Sequence, residues 1–319
     1  MGHSEYGGYI EYENYFGEYI HNEALAFNCG RNCLAYLIET KNIKNIYLPY
    51  FLCASVEDVC KKYHVQIRYY NVDINFLPRI EHKINDDEWL YVVNYYGQIE
   101  NDKIKEWKEQ YQKLIVDNSQ AYFQMPVEDV DTIYTCRKYF GVADGAFLYT
   151  DKQKNEELER DYSYERMLFL MGRYEKGASE FYSEYVANNK QFQNTPILKM
   201  SKLTENLLRG IDYTKVAKVR TENFAVLHDM LSKYNLLKLS IPNGAFMYPF
   251  YIENGAEIRD ECKINKIYIP TLWPDVFEKC DASMLEHDMA KNILPIPVDQ
   301  RYNSDDMKYI VEVIERCIN

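Results

Sequence analysis

The sequence predicts an α/β fold in two parts. A large domain over residues 1–218 is built on a mostly parallel sheet between helices, and a small α+β domain follows over residues 219–319. Three observations carry this reading. Through the first two-thirds, short apolar strand-like runs alternate with helix-like runs, the pattern of a parallel sheet covered by helices on both faces. From about Lys152 to Lys218 the chain turns helical and charged, without clear strands. After Thr221 helix and strand signals mix again, which places the boundary near Lys218. At 319 residues the chain can bury a substantial core in one large and one smaller domain.

The elements follow in order. Residues 31–40 read as a helix because Leu34, Leu37 and Ile38 share one face. Residues 45–48 form a short apolar strand stopped by Pro49, 55–63 a helix and 65–70 a strand. Residues 89–94 are a strongly apolar strand ended by Gly97, 102–111 a polar helix, and 114–116, 132–135 and 146–150 three more strands. In the C-terminal part Phe224, Leu227 and Leu231 mark a helix, 245–252 and 267–269 are strands, and 307–318 is a closing helix.

Composition excludes several classes. Asp and Glu number 49 against 37 Lys and Arg, a net charge of −12, and no Lys/Arg-rich stretch offers the basic face a nucleic-acid binder needs. The same balance argues against anionic membranes. No run of eighteen apolar residues predicts a membrane span. Residues 1–8 lack the basic and apolar regions of a signal peptide, and behind Met1-Gly2 a tyrosine, Tyr6, stands where a myristoylation signal favours Ser or Thr. The eight cysteines form no Cys-x-x-Cys pair and have no histidine at ligand spacing, so reduced buried thiols in a cytoplasmic protein are expected and no metal site. Tyrosine, at 31, is unusually frequent, and nothing in the pattern assigns it a function.

In open α/β sheets ligands bind beyond the carboxyl ends of the strands, so the residues just after each strand are the candidates for chemistry. Asp117 follows Leu114-Ile115-Val116, where a carboxylate can pair with a protonated ring nitrogen. Lys138 follows strand 132–135, where desolvation lowers an amine's pKa and makes it nucleophilic. The spacing between the two suits neighbouring strand ends. Cys29-Gly30-Arg31-Asn32 opens the first helix, so free N–H groups and the helix dipole can face an anion, with Arg31 adding a charged fork. Taken singly each is weak. Glycine before a helix is common, an Asp after a strand is usually a cap, and a lysine is usually a solvated charge. Their order along one chain is what raises the odds.

Three runs then stand together: Asp117-Asn118-Ser119-Gln120-Ala121, Thr135-Cys136-Arg137-Lys138-Tyr139-Phe140-Gly141, and Asp144-Gly145. With them the chain resembles the DegT/StrS-type sugar aminotransferases, of fold type I of the pyridoxal-phosphate (PLP) enzymes. Gly30-Arg31-Asn32 is similar to that family's phosphate-binding helix start, and Tyr47-Leu48-Pro49 with Cys53-Ala54-Ser55 to its strand–Pro–helix segment. Val93-Asn94-Tyr95-Tyr96-Gly97 is similar to its aromatic-Gly turn, and Leu294-Pro295-Ile296-Pro297 to its C-terminal segment. The resemblance covers most of the chain in order; its Asp and Lys motifs are the specific parts.

The resemblance implies that Lys138 forms the Schiff base with PLP and shuttles the proton, while Asp117 keeps the pyridine nitrogen protonated. It places Gln120 near the ring or its hydroxyl, and the phosphate on Gly30, Arg31 and Thr135, with Asn32 in the same helix start. It further implies an aminotransferase of sugar biosynthesis, with glutamate as the leading donor and a nucleotide-linked keto-sugar as the candidate acceptor. Another PLP reaction (a lyase or racemase) and a PLP-binding protein without turnover are the alternatives. Dehydratase members replace the lysine, so Lys138 argues against that branch. The chain departs from the family in three ways. Cys53 stands where a ring-stacking aromatic is usual, leaving Phe51, Tyr50 or Tyr95 as substitutes. The Gly-Asn-aromatic-Arg stretch that reaches a partner's site is not evident between Arg173 and Leu208, Asn194 being nearest. The chain is also shorter than typical members. A homodimer with both sites at its interface is expected, because a cofactor at exposed strand ends needs covering on two sides and the C-terminal domain supplies only one.

Overall fold

A computed structural model describes residues 6–318, so the readings made on Met1-Gly2 and the rest of 1–5 lie outside the described residues. The chain begins with β1 (Leu25–Phe27), α1 (Gly30–Lys41), β2 (Asn45–Pro49), α2 (Ala54–Lys62), β3 (Gln66–Val72), β4 (Pro78–Arg79), β5 (Glu88–Val93) and α3 (Asn101–Tyr111). It continues through β6 (Leu114–Asp117), β7 (Asp131–Thr135), β8 (Ala146–Tyr149), α4 (Leu168–Glu175), α5 (Tyr182–Gln191), α6 (Lys202–Arg209) and α7 (Tyr213–Leu231). The last elements are β9 (Met247–Tyr251), α8 (Gly255–Ile264), α9 (Val276–Lys279), α10 (Leu285–Asn292), β10 (Ile293–Pro297) and α11 (Ser304–Ile318).

Eight strands form one sheet in the order β1-β8-β7-β6-β5-β2-β3-β4. The five central strands run parallel, β8 and β4 run against them, and β1, paired antiparallel with β8, runs their way again. Strands β2, β5 and β6 read as apolar runs because helices hide both faces of a parallel sheet. From β2 the chain moves outward to β3 and β4, then returns to β5 on the other side of β2. Such a reversal opens a crevice at the carboxyl ends of the strands. This is the α/β architecture the alternating pattern predicts.

Two hydrophobic cores exist. The larger fills the sheet and its helices; the second gathers Phe224, Leu227 and Leu231 of α7 with Tyr248, Phe250, Leu294, Ile296 and the buried face of α11. Helix α7 runs unbroken through Lys218, giving Val216 and Ala217 to the first core and its later turns to the second. The Leu294-Pro295-Ile296-Pro297 run is β10, paired only with β9. A proline costs no ladder bond there, because a two-stranded sheet has an open edge on each strand.

The structure differs from the sequence reading at residues 267–269, which form no strand. Lys266 turns the chain at φ 60° after α8 and Pro270 follows, so Ile267 and Ile269 reach the second core from irregular backbone without a ladder partner. Strands β1 and β4, of three and two residues, are too short to carry a period, and the reading did not resolve α8, α9 and α10. Among the described residues no helix is long and apolar enough to cross a membrane, and all eight cysteines are free.

The tyrosines receive a structural account. Tyr91, Tyr95, Tyr96, Tyr122, Tyr134 and Tyr248 are fully buried large side chains. Several spend their hydroxyl on the backbone: Tyr70 donates to the Tyr91 carbonyl at 2.7 Å and Tyr134 to the Gln124 carbonyl at 2.8 Å. A ring fills core volume while its hydroxyl satisfies a carbonyl, in strand β5 for Tyr70 and in the loop after β6 for Tyr134.

His21 is wholly buried among Tyr122, Tyr134 and Tyr149. Its Nε2 lies 2.9 Å from the Tyr122 carbonyl, which can only accept, so Nε2 carries the proton and Nδ1 accepts from the Tyr149 hydroxyl at 3.2 Å. Burial pulls its pKa from the ordinary 6.5 down to about 4. The folded value lies below the unfolded one, so this contribution is complete above pH 6.5 and is lost as pH falls toward 4. The loss amounts to about 3 kcal/mol. Buried Asp131 and Asp144, whose carboxyls are raised by desolvation, work in the opposite sense. Urea unfolding of the parent and of His21→Phe between pH 7 and 4 should show a gap that narrows by that amount; a constant gap would mean His21 is protonated in place.

Candidate active site

Strands β6 and β7 are parallel neighbours, with Asp117 in register with Ile133. Asp117 is the last residue of β6; Lys138 lies three residues past Thr135, the last of β7. The two sequence-chosen groups therefore stand at adjacent strand ends. The turn after β7 is tight. Cys136 N–H donates to the Gly145 carbonyl, Tyr139 and Phe140 N–H both donate to the Cys136 carbonyl, and Gly145 N–H donates to the Asn28 carbonyl at 2.6 Å. Gly145 sits at φ +115°, and a Cβ there would lie 3.0 Å from Thr204 Cγ2 and 3.2 Å from Cys136. Only glycine closes this turn. Its neighbour Asp144 accepts from Ser201 N–H and Ser201 Oγ at 2.8 Å and from Thr204, fixing the start of α6. The Asp144-Gly145 motif is thus the frame of the lysine loop.

Asp117 is held from two sides. The hydroxyl of fully buried Tyr91 donates to Oδ2 at 2.8 Å, and the Ser119 N–H donates to Oδ1 at 2.8 Å. Lys138 has no ion-pair partner among the described residues. Its amine opens to solvent at the crevice yet is surrounded by protein mass, with the Phe246 ring 5.5 Å away. Those surroundings push its pKa down by desolvation, the nearby Asp117 charge working against the shift. Part of the population is therefore the neutral nucleophile below the usual lysine range. Cys53 belongs to the same surroundings, exposed at the start of α2 and accepting from Ser55 Oγ at 3.2 Å.

The third group is a candidate anion cradle. Gly30 is the first residue of α1, half-buried, and a Cβ there would meet only Ile133 Cγ2 at 3.8 Å, beside the end of β7. The helix has no side-chain cap and no acid in its first turn; Asn32 and Cys33 N–H bond back to the Cys29 carbonyl. Arg31 and Arg137 lie in each other's field, and each has a buried Nε without a partner. Neither forms an ion pair among the described residues, whereas nearby Arg166 is neutralised by Asp161 at 2.6 Å. Desolvation, and Arg31 to a smaller extent, lower the pKa of Arg137. Arg137 also donates to Asn189 of α5 and stacks 4.7 Å from the Phe192 ring centroid, so the helical segment after the lysine walls the cradle.

The remaining candidates divide. Thr135 is half-buried at the end of β7. Gln120 is buried and accepts the Tyr96 N–H at 2.8 Å, holding a turn in which Tyr96 has φ 54°. Asn32 gives both amide hydrogens to structure, to Asn28 Oδ1 and the Pro196 carbonyl at 2.7 Å each. Phe51 is 1% exposed and packs on Trp273 and Tyr95 at 4.5 and 5.3 Å. Asn194 is exposed in the turn after α5. Two grooves of about 320 and 350 Å³ run along the seam between the cores, and Gln120 lines one, but neither reaches Lys138. Sequence reasoning gave no role to Arg137 or Tyr91. A second cation adjoining Lys138 at a strand end was a usable signal for the first; one tyrosine in the apolar run of β5 was too weak for the second.

Solved structures share this arrangement of elements. DesV of S. venezuelae, whose structure holds a ketimine intermediate, is 14% identical, with a TM-score of 0.66 over 92% of this chain and 84% of that one. Its fold is that of the sugar aminotransferases. CalS13, a sugar aminotransferase from Micromonospora echinospora, is 13% identical with a TM-score of 0.60 over 92% and 87%. The E coli GDP-4-keto-6-deoxy-D-mannose-3-dehydratase, with bound hydrated PLP, is 15% identical with a TM-score of 0.61 over 91% and 87%. The resemblance to the DegT/StrS type stands at the level of the fold, and at these identities it speaks of the fold alone. No family model matches the sequence, and no curated protein does.

Two half-buried arginines, each with a buried Nε and no ion pair among the described residues, should take up an anion. Inorganic phosphate should raise the thermal midpoint of the protein, at ten times its Kd by the equivalent of about 1.4 kcal/mol. Arg137→Met should lose that increment whatever its own midpoint. An equal increment in the variant would place the anion elsewhere.

Proposed function

We propose that this chain is a PLP-dependent aminotransferase that moves an amino group from an amino acid, glutamate first among donors, to a keto acceptor of the nucleotide-linked keto-sugar class. The observation that carries it is the conjunction at neighbouring strand ends of an unpaired lysine, a carboxylate held from two sides, and an uncompensated pair of arginines at a helix start. The residues present fit PLP. The orphaned Nε atoms of Arg31 and Arg137, with the N–H groups of Gly30 and Arg31 and the hydroxyl of Thr135, are the donor set a phosphate needs. Bound there, PLP supplies an electron sink for bond cleavage at the amino acid's α-carbon.

The chain's own residues do the rest. Asp117 holds a proton on the cofactor's ring nitrogen, and Tyr91 and the Ser119 N–H keep its carboxylate aimed. Lys138 would hold the cofactor covalently through its neutral amine, a condensation that releases water, and would move the proton at the substrate carbon. Gln120 serves the ring's surroundings through the turn at Tyr96, while Asn32 and Phe51 support the frame. The dehydratase of like fold is a reminder that one fold hosts several reactions, so the reading rests on the site.

Purified protein with PLP should show a visible absorbance band that bleaches with glutamate and returns with a keto acid. Borohydride should fix the cofactor on Lys138, read by peptide mass. Lys138→Ala should lose the band, the fixation and all turnover. Fixation without bleaching by any amino acid would favour the binding protein without turnover; fixation at another lysine would sink the assignment.

The assembly belongs to the same reading. Leu168, Met171, Tyr174, Tyr182 and Tyr185 of α4 and α5 are exposed beside the arginine cradle, an apolar face suited to the second subunit of a homodimer. Sedimentation at micromolar concentration should give twice the chain mass. A monomer that binds PLP tightly and turns over would exclude a shared site.

A further inference from the structure

Arg220 of α7 is 1% exposed and, among the described residues, is a large fully buried side chain without an ion-pair partner. Every bond it makes goes to a neutral group. Its Nε donates to Gln300 Oε1 at 2.8 Å, Nη1 to the Ala245 and Phe246 carbonyls at 3.0 and 3.3 Å, and Nη2 to the Tyr139 carbonyl at 3.1 Å. Its guanidinium also lies over the Tyr139 ring at 4.6 Å. The same Tyr139 carbonyl takes a second bond, from Gln300 Nε2 at 2.8 Å. A buried cation is costly unless its surroundings repay it, and a hydrophobic side chain of equal volume would avoid that cost.

What this guanidinium joins explains its presence. Tyr139 follows Lys138 in the chain. Phe246 is the residue whose ring faces the Lys138 amine at 5.5 Å. Arg220 therefore holds the backbone on the lysine's own side and the backbone of the wall opposite, from a helix that serves both cores. Gly244, just before this wall, has φ +62° and packs so closely that a Cβ would lie 2.1 Å from the Phe123 ring. Phe123 in turn packs edge-on to the Tyr139 ring at 5.9 Å, so the wall and the residue after Lys138 share a neighbour.

We propose that Arg220, with Gln300 as its accessory, is a positioning residue that fixes Lys138 relative to Phe246 and so couples the C-terminal core to the reacting amine. It touches neither cofactor nor substrate, and its catalytic consequence rests on the aminotransferase reading. Its effect on the lysine is independent of that reading. Loosening the clamp lets the Phe246 wall draw back from the amine, so that less protein surrounds it and its pKa rises toward the ordinary lysine value.

The test uses the full chain without added cofactor. Acetylation of Lys138 by acetic anhydride is followed across pH by peptide mass in the parent, Arg220→Lys, Gln300→Leu and Arg259→Met. Arg259 makes comparable bonds, to the Lys291 and Ile293 carbonyls at 3.0 and 2.8 Å, away from the lysine loop. The midpoint should rise by about half a unit or more in Arg220→Lys, a threefold change, and by less in Gln300→Leu. Arg259→Met should keep the parent midpoint. If Arg220→Lys does not fold, half-buried Gln300 decides alone. Parent midpoints in folded Arg220→Lys and Gln300→Leu, or an equal rise in Arg259→Met, would overturn the proposal and leave Arg220 a general strut. Borohydride fixation of PLP on the parent's Lys138 tests the functional reading separately.

Discussion

Two like charges held together without an acid are the constraint around which the crevice is arranged. Arg31 and Arg137 come from different elements, the first turn of α1 and the loop after β7, and each buries an Nε that nothing satisfies. Arg166, whose guanidinium also lies over the Phe192 ring at 5.2 Å, shows the ordinary solution, a carboxylate at 2.6 Å. Of these three neighbouring arginines only Arg166 has that solution among the described residues. Helix α1 adds its own uncapped N–H groups and the positive end of its dipole. Neutral groups pack around Arg137, with Asn189 accepting from it and the Phe192 ring beneath it, and the Asp144 charge favours it from farther off. An anion held there lies beside the ends of β6 and β7, so the cradle decides where any phosphate-bearing ligand presents its other end.

The sheet then orders the remaining chemistry. Because β6 and β7 are parallel and adjacent, a carboxylate ending one and a lysine following the other reach the same side of the crevice without any long loop. The tight turn from Cys136 to Gly145 is what such proximity demands. It is fastened at its far end by Asp144 to α6, by Gly145 to Asn28 before α1, and at Tyr139 to the C-terminal core. A lysine on a loose loop would be solvated and fully protonated near neutral pH. Here the amine is surrounded without being paired.

The fold and the central pair were legible in the sequence for physical reasons. Buried parallel strands read as apolar runs, so β2, β5, β6 and β7 stood out and their ends fell within a residue or two of their places. Gly30 and Arg31 open α1, where the glycine before the apolar face located the helix start. What stayed hidden depends on contacts between distant parts of the chain. Nothing local says that Tyr91 bonds Asp117, that Arg137 lacks an acid, or that Asn32 turns its amide to Asn28 and Pro196. Phe51 was a reasonable aromatic for an open site until Trp273, from the far end of the chain, was found packed upon it. Residues 267–269 have the composition of a strand and no neighbour to pair with, a failure that local propensity cannot foresee.

The thiol at the start of α2 sharpens the division of labour in the proposed site. Cys53 is exposed in the surroundings of Lys138, while the aromatics nearest it in sequence are engaged elsewhere, Phe51 with Trp273 and Tyr50 stacked 4.9 Å from Tyr69. A sulfur offers a flat ring less contact area than an aromatic side chain does, so one face of a bound ring gains less dispersion energy here. The binding free energy must then come more heavily from the ends of the ligand than from its faces. The chain has that distribution: a doubly cationic cradle at one end, a carboxylate fixed by a tyrosine and a backbone N–H at the other, and a covalent anchor between them. Electrostatic ends orient a ligand along its length but restrain its tilt weakly, and the wall that stands nearest the anchoring amine is Phe246, 5.5 Å from it and clamped by Arg220. The second core is on this view part of the site's geometry, because the guanidinium that closes the wall is anchored in the helix both cores share.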